Sequence, residues 1–186
     1  MSKDKTKFSL NVNIKREDEK ALVYYKQDGQ RFEYNCTIKL NVETTYKFLL
    51  TFRPPLKVKS ATLKGTLMEL HEEERTSEFA SYSFVWASHN ACVSKKNHRD
   101  HFPLSLATKY ATQQKVDQNW EPVVVAQGSR IDSLSLNTLD ITFQFKFYKA
   151  DDNNHCVWGN GLHHIEYDCI YKSDSDSYEM EKETVR

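Results

Sequence analysis

The chain has 186 residues, with 26 basic and 26 acidic side chains and a formal net charge of zero. A neutral molecule has no overall field that would attract nucleic acid or an anionic membrane, so we expect neither as a direct partner. A chain of this length most naturally forms one domain, which buries roughly 70% of the surface of its unfolded chain. We therefore expect a core that needs no disulfide, metal or other cofactor.

The N-terminal sequence and the cysteines indicate a cytoplasmic protein. MSKDKTKFSL is charged and lacks the apolar run of a secretory signal. No apolar stretch approaches the roughly 20 residues that a membrane-spanning helix needs. Four cysteines at irregular spacings are typical of reduced thiols rather than of a disulfide framework. We expect contact with a membrane only through a partner.

Alternating apolar and polar side chains predict strands through the first half of the chain. Asp28-Gly29 suits the two-residue type I′ turn of a hairpin, whose positive φ angles these residues tolerate. Pro54-Pro55 ends a strand because neither residue has a backbone donor. Residues 71–78, HEEERTSE, indicate a charged loop. The predicted strands are 8–14, 22–26, 30–34, 38–40, 46–52, one or two within 56–70 around a turn near Gly65, and 79–86.

The second half of the chain is less regular. From 87 to about 119 the alternation is lost, which predicts a long loop. Residues 123–126 and 131–136 are weaker strand candidates. The clearest strand of the chain is 139–147, and 165–171 forms the last one. Residues 172–186 are acidic and rich in serine, which predicts a mobile tail.

Many short strands with almost no helix predict an all-β fold, an antiparallel β-sandwich or barrel. The predicted organisation is a single domain over 1–171, with a long loop insertion at about 87–119, followed by the mobile tail at 172–186.

A cysteine and three histidines form the sharpest metal candidate. His89-x-x-Cys92 followed by His98-x-x-His101 could supply four zinc ligands. Zinc sites of this kind usually have paired cysteines, so a solvated loop is the more common outcome and we predict no metal. The sequence has no glycine-rich phosphate loop and no G-x-S-x-G elbow, and we predict no catalytic residue and no enzyme.

Four residues are candidates for contact with a partner. Lys26 and Arg31 make the predicted hairpin end basic, so they could bind a carboxylate or a phosphate, or pair with Asp28 or Glu33. Trp158 belongs to a residue type enriched in binding hot spots, although core packing is its more frequent use. Glu166 could face a partner, but a cross-strand ion pair is the more common role for such a residue.

Aromatic residues on the predicted strands raise the possibility of a hydrophobic pocket. A sandwich or barrel with a large apolar interior can open a slot for a lipid chain. The alternative is a fully packed core, which alternating aromatic strands normally build. The candidate pocket residues are Phe48, Phe52, Phe84, Trp86, Phe143 and Phe145.

Two blocks of sequence carry a family resemblance. YYKQDGQRFEYNCTIKL spans residues 24–40, and HCVWGNGLHHIEYDC spans residues 155–169. The runs DGQRF and TIKL, followed in this order by HCVWG and IEYDC, resemble the cannabinoid-receptor-interacting protein family. The resemblance covers about 8–70 and 136–169. The loop at 87–119 and the acidic tail depart from the family pattern.

The resemblance implies a fold and a function. The fold is an antiparallel β-sandwich or barrel similar to the Rho guanine-nucleotide dissociation inhibitor-like carriers. The function is that of a cytosolic, non-enzymatic adaptor, since vertebrate relatives bind the C-terminal tail of the type 1 cannabinoid receptor and modulate its signalling. The alternative is a carrier of lipidated or prenylated cargo in a pocket between the sheets. In an animal without such receptors, the partner would be another receptor tail or a lipidated protein.

Overall fold

The computed structural model describes residues 5–19, 21–109, 137–175 and 177–186. No helix in these ranges has the length and apolar character of a membrane span. Two short 3₁₀ turns lie at Gly29–Arg31 and Ser88–Asn90. The strands of these ranges are β1 Lys5–Arg16, β2 Val23–Gln27, β3 Cys36–Asn41, β4 Thr45–Arg53, β5 Lys57–Leu63, β6 Thr66–Met68, β7 His71–Arg75, β8 Ala80–Ala87, β9 Asp100–Lys109, β10 Asn137–Tyr148, β11 Asn160–Leu162, β12 Ile165–Lys172 and β13 Ser177–Val185.

The strands form two sheets. Sheet A has the order β13-β12-β1-β4-β8-β7, and sheet B has the order β11-β2-β3-β10-β9-β5-β6. Neighbouring strands are antiparallel except β3 and β10, which are parallel. Over the described residues the two sheets are not closed into one, so the all-β prediction is confirmed as a sandwich.

The core lies between the two sheets and is rich in aromatic rings. Phe48 of β4 stacks on Phe84 of β8 at a centroid distance of 4.8 Å and reaches across to Phe143 of β10 at 6.0 Å. All three side chains are at most 2% exposed. Burying a phenylalanine side chain contributes about 1.5–3 kcal/mol to stability, so these contacts are a main part of what holds the sheets together.

The connection between β2 and β3 differs from the predicted tight hairpin. A type I′ turn needs a positive φ at both central residues. Gly29 has a φ of 61°, but Asp28 has a φ of −97°. The connection instead runs through residues 28–35 and contains the first 3₁₀ turn. The Asp28 carboxylate turns inward to accept a hydrogen bond from the Thr37 hydroxyl, which holds the longer loop.

Two segments predicted as loops contain strands. Residues 71–75 form β7, an edge strand whose side chains are all exposed. Because neither face of β7 is buried, its sequence has no apolar alternation to detect. Within the predicted loop at 87–119, β9 pairs with both β10 and β5 and buries Leu104 and Leu106. Residues 87–99 of that loop contain the second 3₁₀ turn and lead into β9. Residues 110–119, and the strand candidates at 123–126 and 131–136, lie outside the described residues.

The prediction of a mobile tail is wrong for residues 177–185, which form β13. This strand pairs with β12 along its length and ends sheet A. Its Tyr178 packs edge-on against Phe8 of β1 at 5.6 Å. Glu179 pairs with Lys172, and Glu181 lies 3.2 Å from Lys7. Two of the acidic residues that suggested disorder therefore pair with cations of β12 and β1.

Candidate functional site

Three adjacent strands of sheet B place cations on its outer face. On β10, Phe145 and Phe147 point into the core, so the alternating Lys146 and Tyr148 point outward. The parallel pairing of β10 with β3 sets Lys146 directly beside Lys39. The antiparallel pairing of β2 with β3 then sets Lys26 opposite Thr37, one step along the same face.

These residues line a cleft of about 390 Å³, which we call the basic cleft. Four of its side chains are cations and one is a carboxylate. The lining residues are Lys26, Asp28, Thr37, Lys39, Arg99, Lys146, Tyr148, His155, Trp158 and Gly159.

Asp28 organises the floor of the basic cleft. Its side chain is only 1% exposed, and it accepts a hydrogen bond of 2.5 Å from the Thr37 hydroxyl. Lys26 Nζ and Arg99 Nη2 each lie 3.7 Å from a carboxylate oxygen of Asp28. The Arg99 guanidinium also stacks over the Phe32 ring at 4.1 Å and donates to Thr37 Oγ1. These contacts hold Arg99 in one orientation.

The two lysines at the centre of the cleft have lowered pKa values. Burial lowers the pKa of Lys39, and the nearby charges of Lys146 and Lys26 lower it further. Burial also lowers the pKa of Lys146, with added repulsion from Arg99, Lys26 and Arg31. The Lys39 ammonium donates to the backbone carbonyls of His155 and Trp158 rather than to a carboxylate. The cleft therefore has more positive charge than its one carboxylate, Asp28, offsets.

The loop at 152–159 forms one wall of the cleft. The Asp152 carboxylate accepts hydrogen bonds from the backbone N–H groups of Asn154, His155 and Cys156, at 3.1, 2.8 and 3.2 Å. Gly159 has a φ of 123°, and a Cβ there would lie 2.9 Å from the carbonyl oxygen of Tyr25. Only glycine allows this close approach of the loop to β2.

An exposed apolar surface adjoins the cleft at the edge of sheet B. Trp158 is 77% exposed, Val157 is 42% exposed and Leu22 is 38% exposed. Leu22 and Val157 line the same small pocket of about 130 Å³, and Trp158 follows in the chain. We call these three residues the Trp158 surface. They lie beside β11, the strand that ends sheet B.

Comparison with known proteins identifies the family. A family model described as "CB1 cannabinoid receptor-interacting protein 1" matches residues 4–185. The chain belongs to this family. Proteins of that name from Mus musculus, Homo sapiens and Rattus norvegicus are each 25% identical to it over 163 residues, which is 86% of this chain and 84% of each relative. Family membership confirms the resemblance carried by the blocks at 24–40 and 155–169.

The structure brings together two of the four predicted partner-binding residues. Lys26 and Trp158 of this family member both line the basic cleft. Arg31 lies beside it, where it donates to the Asn97 side chain and stacks on Phe32 at 5.3 Å. Glu166 lies on β12 of the other sheet and pairs with Arg186 at 3.9 Å. The interpretation of Trp158 as a core residue is wrong, because most of its side chain is exposed.

The candidate pocket residues belong mostly to the packed core. The five phenylalanines among them are at most 2% exposed, and their rings contact one another or neighbouring aromatic rings. This arrangement matches the packed-core alternative. Trp86 differs, because it is partly exposed and lines a separate pocket of about 540 Å³ with Leu63, Phe102 and Phe147.

The histidines and cysteines do not form a metal centre in the part of the chain that the structure describes. There, no group of three or more His, Cys, Asp or Glu side chains is placed to hold a metal ion. Of the zinc candidates, His98 lies 3.5 Å from Asp100 and His101 lies 3.4 Å from Glu33. The other two zinc candidates, His89 and the free, exposed Cys92, are not grouped with these histidines within the described ranges.

The other three cysteines are also free, and all three are buried. Burial raises the pKa of Cys36, Cys156 and Cys169 to about 12 in each case. Their thiols therefore stay protonated near neutral pH, where they behave as small apolar side chains rather than as nucleophiles.

Sequence reasoning missed three cations of the cleft: Lys39, Arg99 and Lys146. A signal for two of them existed. Lys39 alternates with Ile38 and Leu40, and Lys146 alternates with two phenylalanines. This pattern predicts that both lysines face away from the core. Their proximity follows only from the parallel pairing of β3 and β10, which joins segments more than a hundred residues apart. Arg99 immediately precedes β9, inside the predicted loop.

Proposed function

We propose that this chain is a non-enzymatic adaptor that binds the C-terminal tail of a G-protein-coupled receptor of the cannabinoid-receptor kind and modulates its signalling. The family is named for an interaction with such a receptor, which supports the coarser part of the proposal. The observation that carries the binding site is Trp158, a large side chain left 77% exposed at the rim of a basic cleft. Tryptophan is one of the residue types most enriched among binding hot spots.

The tail segment docks beside β11, next to the Trp158 surface. β11 pairs with β2 on one side, and within the described ranges no strand pairs with its other side. A peptide strand can add to such an edge through backbone hydrogen bonds. Because β11 has only three residues, we expect the Trp158 side chain to supply most of the affinity, with Lys26 contacting acidic groups of the tail.

Two other modes of binding have less support. Insertion of a segment between the sheets would have to displace buried rings such as Phe48 and Phe143. Carriage of a lipidated or prenylated cargo in an inter-sheet pocket meets the same obstacle. Displacing a packed aromatic ring removes contacts worth several kcal/mol, typically about 3–5 for a phenylalanine, and the edge of sheet B requires no such change.

The test is the affinity of a labelled receptor-tail peptide, measured by fluorescence anisotropy. We expect Trp158→Ala to weaken binding by about 30-fold or more, the effect of losing a hot spot of about 2 kcal/mol. Leu67→Ala is the matched control, since Leu67 is 70% exposed on β6 at the opposite edge of sheet B. Equal affinities of the wild type and Trp158→Ala would contradict the proposed site.

Two further variants define the extent of the contact. Arg31→Ala tests the cation beside the cleft, and Glu166→Gln tests the residue that lies on sheet A. We expect a small loss for Arg31→Ala and none for Glu166→Gln. In cells that carry the receptor, Trp158→Ala should lose the effect on signalling that the wild type produces. A variant that loses peptide binding but keeps that effect would show that the modulation uses another contact.

A further inference from the structure

The basic cleft concentrates charge that the rest of the molecule balances. The whole chain has equal numbers of basic and acidic residues, yet four cations face one carboxylate here. The carboxylate, Asp28, is already bound by the Thr37 hydroxyl and flanked by Lys26 and Arg99. The volume of the basic cleft, about 390 Å³, lies within the range typical of small-ligand sites, roughly 300–1,000 Å³.

We propose that the basic cleft is a binding site for a phosphomonoester group, carried by the headgroup of a membrane phosphoinositide or by a soluble inositol phosphate. A phosphomonoester carries between one and two negative charges near neutral pH and offers three acceptor oxygens. This chemistry matches a site with several cations and donors better than a single carboxylate does. The proposal does not rest on the proposed receptor-tail interaction, although the two sites share Lys26 and Trp158.

The donors for this group are the two central lysines. The Lys39 ammonium has three N–H donors, and its contacts with the carbonyls of His155 and Trp158 use two of them. Lys146 Nζ lies 4.9 Å from the centroid of the Tyr148 ring. No carboxylate of the described residues lies within ion-pair distance of either ammonium, so both are placed to bind an anion.

The lowered pKa values of Lys39 and Lys146 support this interpretation. Repulsion among the cations contributes to both shifts, and a bound anion would relieve that repulsion. Arg99 and Lys26 complete the positive surface. Arg99 is held by stacking on Phe32, so it adds charge without a further loss of side-chain freedom on binding.

Trp158 and Val157 suit a headgroup that is carried by a membrane. Both are exposed apolar residues on the loop that forms a wall of the cleft. Tryptophan is enriched at the interface between membrane and water, and basic residues near it attract anionic lipids. A phosphoinositide headgroup could therefore occupy the cleft while the Trp158 surface contacts the bilayer interface.

The test uses the full chain with soluble and membrane-bound forms of the same group. Inositol trisphosphate is titrated calorimetrically, and co-sedimentation is measured with phosphatidylcholine vesicles containing a phosphatidylinositol bisphosphate. Phosphatidylcholine vesicles containing phosphatidylserine at the same surface charge are the lipid control. Binding to the phosphoinositide vesicles with competition by inositol trisphosphate assigns the headgroup. Binding of the soluble compound without vesicle binding assigns a soluble ligand, and either outcome supports the site.

Variants locate the site. Lys146→Gln should weaken inositol trisphosphate binding by about tenfold, the effect of losing one charge-assisted hydrogen bond, and Lys146→Arg should retain most of it. Lys15→Gln is the matched control, since it removes the same charge from an exposed residue of sheet A. Circular dichroism confirms that each variant is folded. A phosphoserine peptide is titrated in parallel as the alternative ligand. The proposal is overturned if neither the soluble compound nor the vesicles bind, if the phosphoserine peptide is the only probe that binds, or if Lys15→Gln weakens binding as much as Lys146→Gln.

Discussion

The inner and outer faces of sheet B differ in what their side chains contribute to the molecule. On β10, Phe143, Phe145 and Phe147 are at most 2% exposed and pack into the inter-sheet core. Lys146 and Tyr148, which alternate with them, line the basic cleft. The inner face holds the sandwich together, whereas Lys146 on the outer face takes no part in the core. Substitutions of adjacent residues should therefore separate stability from binding.

The outer face of sheet A shows that lysines alone do not make such a site. A pocket of about 620 Å³ on that face also has three cations, but three carboxylates accompany them. Lys47 and Glu73 in this pocket form an ion pair of 3.1 Å. The basic cleft is distinguished by its shortage of carboxylates, which leaves its positive charge for a ligand. The charged residues of the pocket on sheet A are Lys15, Arg16, Glu17, Lys47, Glu73 and Glu74. Those of the basic cleft on sheet B are Lys26, Asp28, Lys39, Arg99 and Lys146.

The largest effect is expected on the inner face, from Phe48→Ala. Phe48 is fully buried and stacks on Phe84, so the variant should lose about 3–5 kcal/mol of unfolding free energy. Urea denaturation measures the loss, with the exposed Leu67→Ala as the control that stays within about 0.5 kcal/mol of wild type. If Phe48→Ala stayed fully folded but bound inositol trisphosphate more weakly, the inner face would affect binding directly, which contradicts the division of roles between the two faces.

Gly159→Ala tests the packing of the 152–159 loop, a wall of the cleft, against β2. The added methyl would lie 2.9 Å from the Tyr25 carbonyl oxygen in a backbone with a φ of 123°, so we expect a cost of about 1–3 kcal/mol. Gly65→Ala is the control, because its φ of 79° carries conformational strain but no atom lies within 4 Å. Urea denaturation compares the two. Equal losses would mean that the loop does not need its close approach to β2.

The alternation of side chains predicted the strands that have one buried and one exposed face. β1, β4, β8, β10 and β12 were identified this way, because the core imposes a period of two on their sequences. Of the strands that were missed, β9 does alternate, burying Phe102, Leu104 and Leu106, but it is a short apolar run inside a long polar segment. By contrast, β7 and β13 lack the alternation. β7 is exposed on both faces, and most of β13 is exposed. β13 is held in register by β12 and by the ion pair of Glu181 with Lys7, a residue distant in sequence.

The candidate site was harder to predict because it depends on pairings between distant segments. Lys26 and Trp158 were both identified as candidates for contact with a partner, but the sequence around each gave no sign that they line one cleft. That proximity comes from β11 pairing with β2 and from the Gly159 contact with Tyr25. The exposure of Trp158 is also a tertiary property. Its neighbour Cys156 is buried, so the loop points one side chain inward and leaves the other outside.

The smallest effect on stability is expected on the outer face, from Lys146→Gln. Burial lowers the pKa of this lysine, which means that the folded protein disfavours its charge relative to the unfolded chain. Removing the charge should therefore leave the unfolding free energy within about 0.5 kcal/mol of wild type, or raise it slightly. Urea denaturation at neutral pH checks this, beside the same variant's inositol trisphosphate affinity. A clear loss of stability would mean that Lys146 has a structural partner, and its weakened binding could no longer be assigned to contact with the ligand. If Lys146→Gln keeps the stability of the wild type but binds inositol trisphosphate more weakly, Lys146 contributes to ligand binding and not to folding.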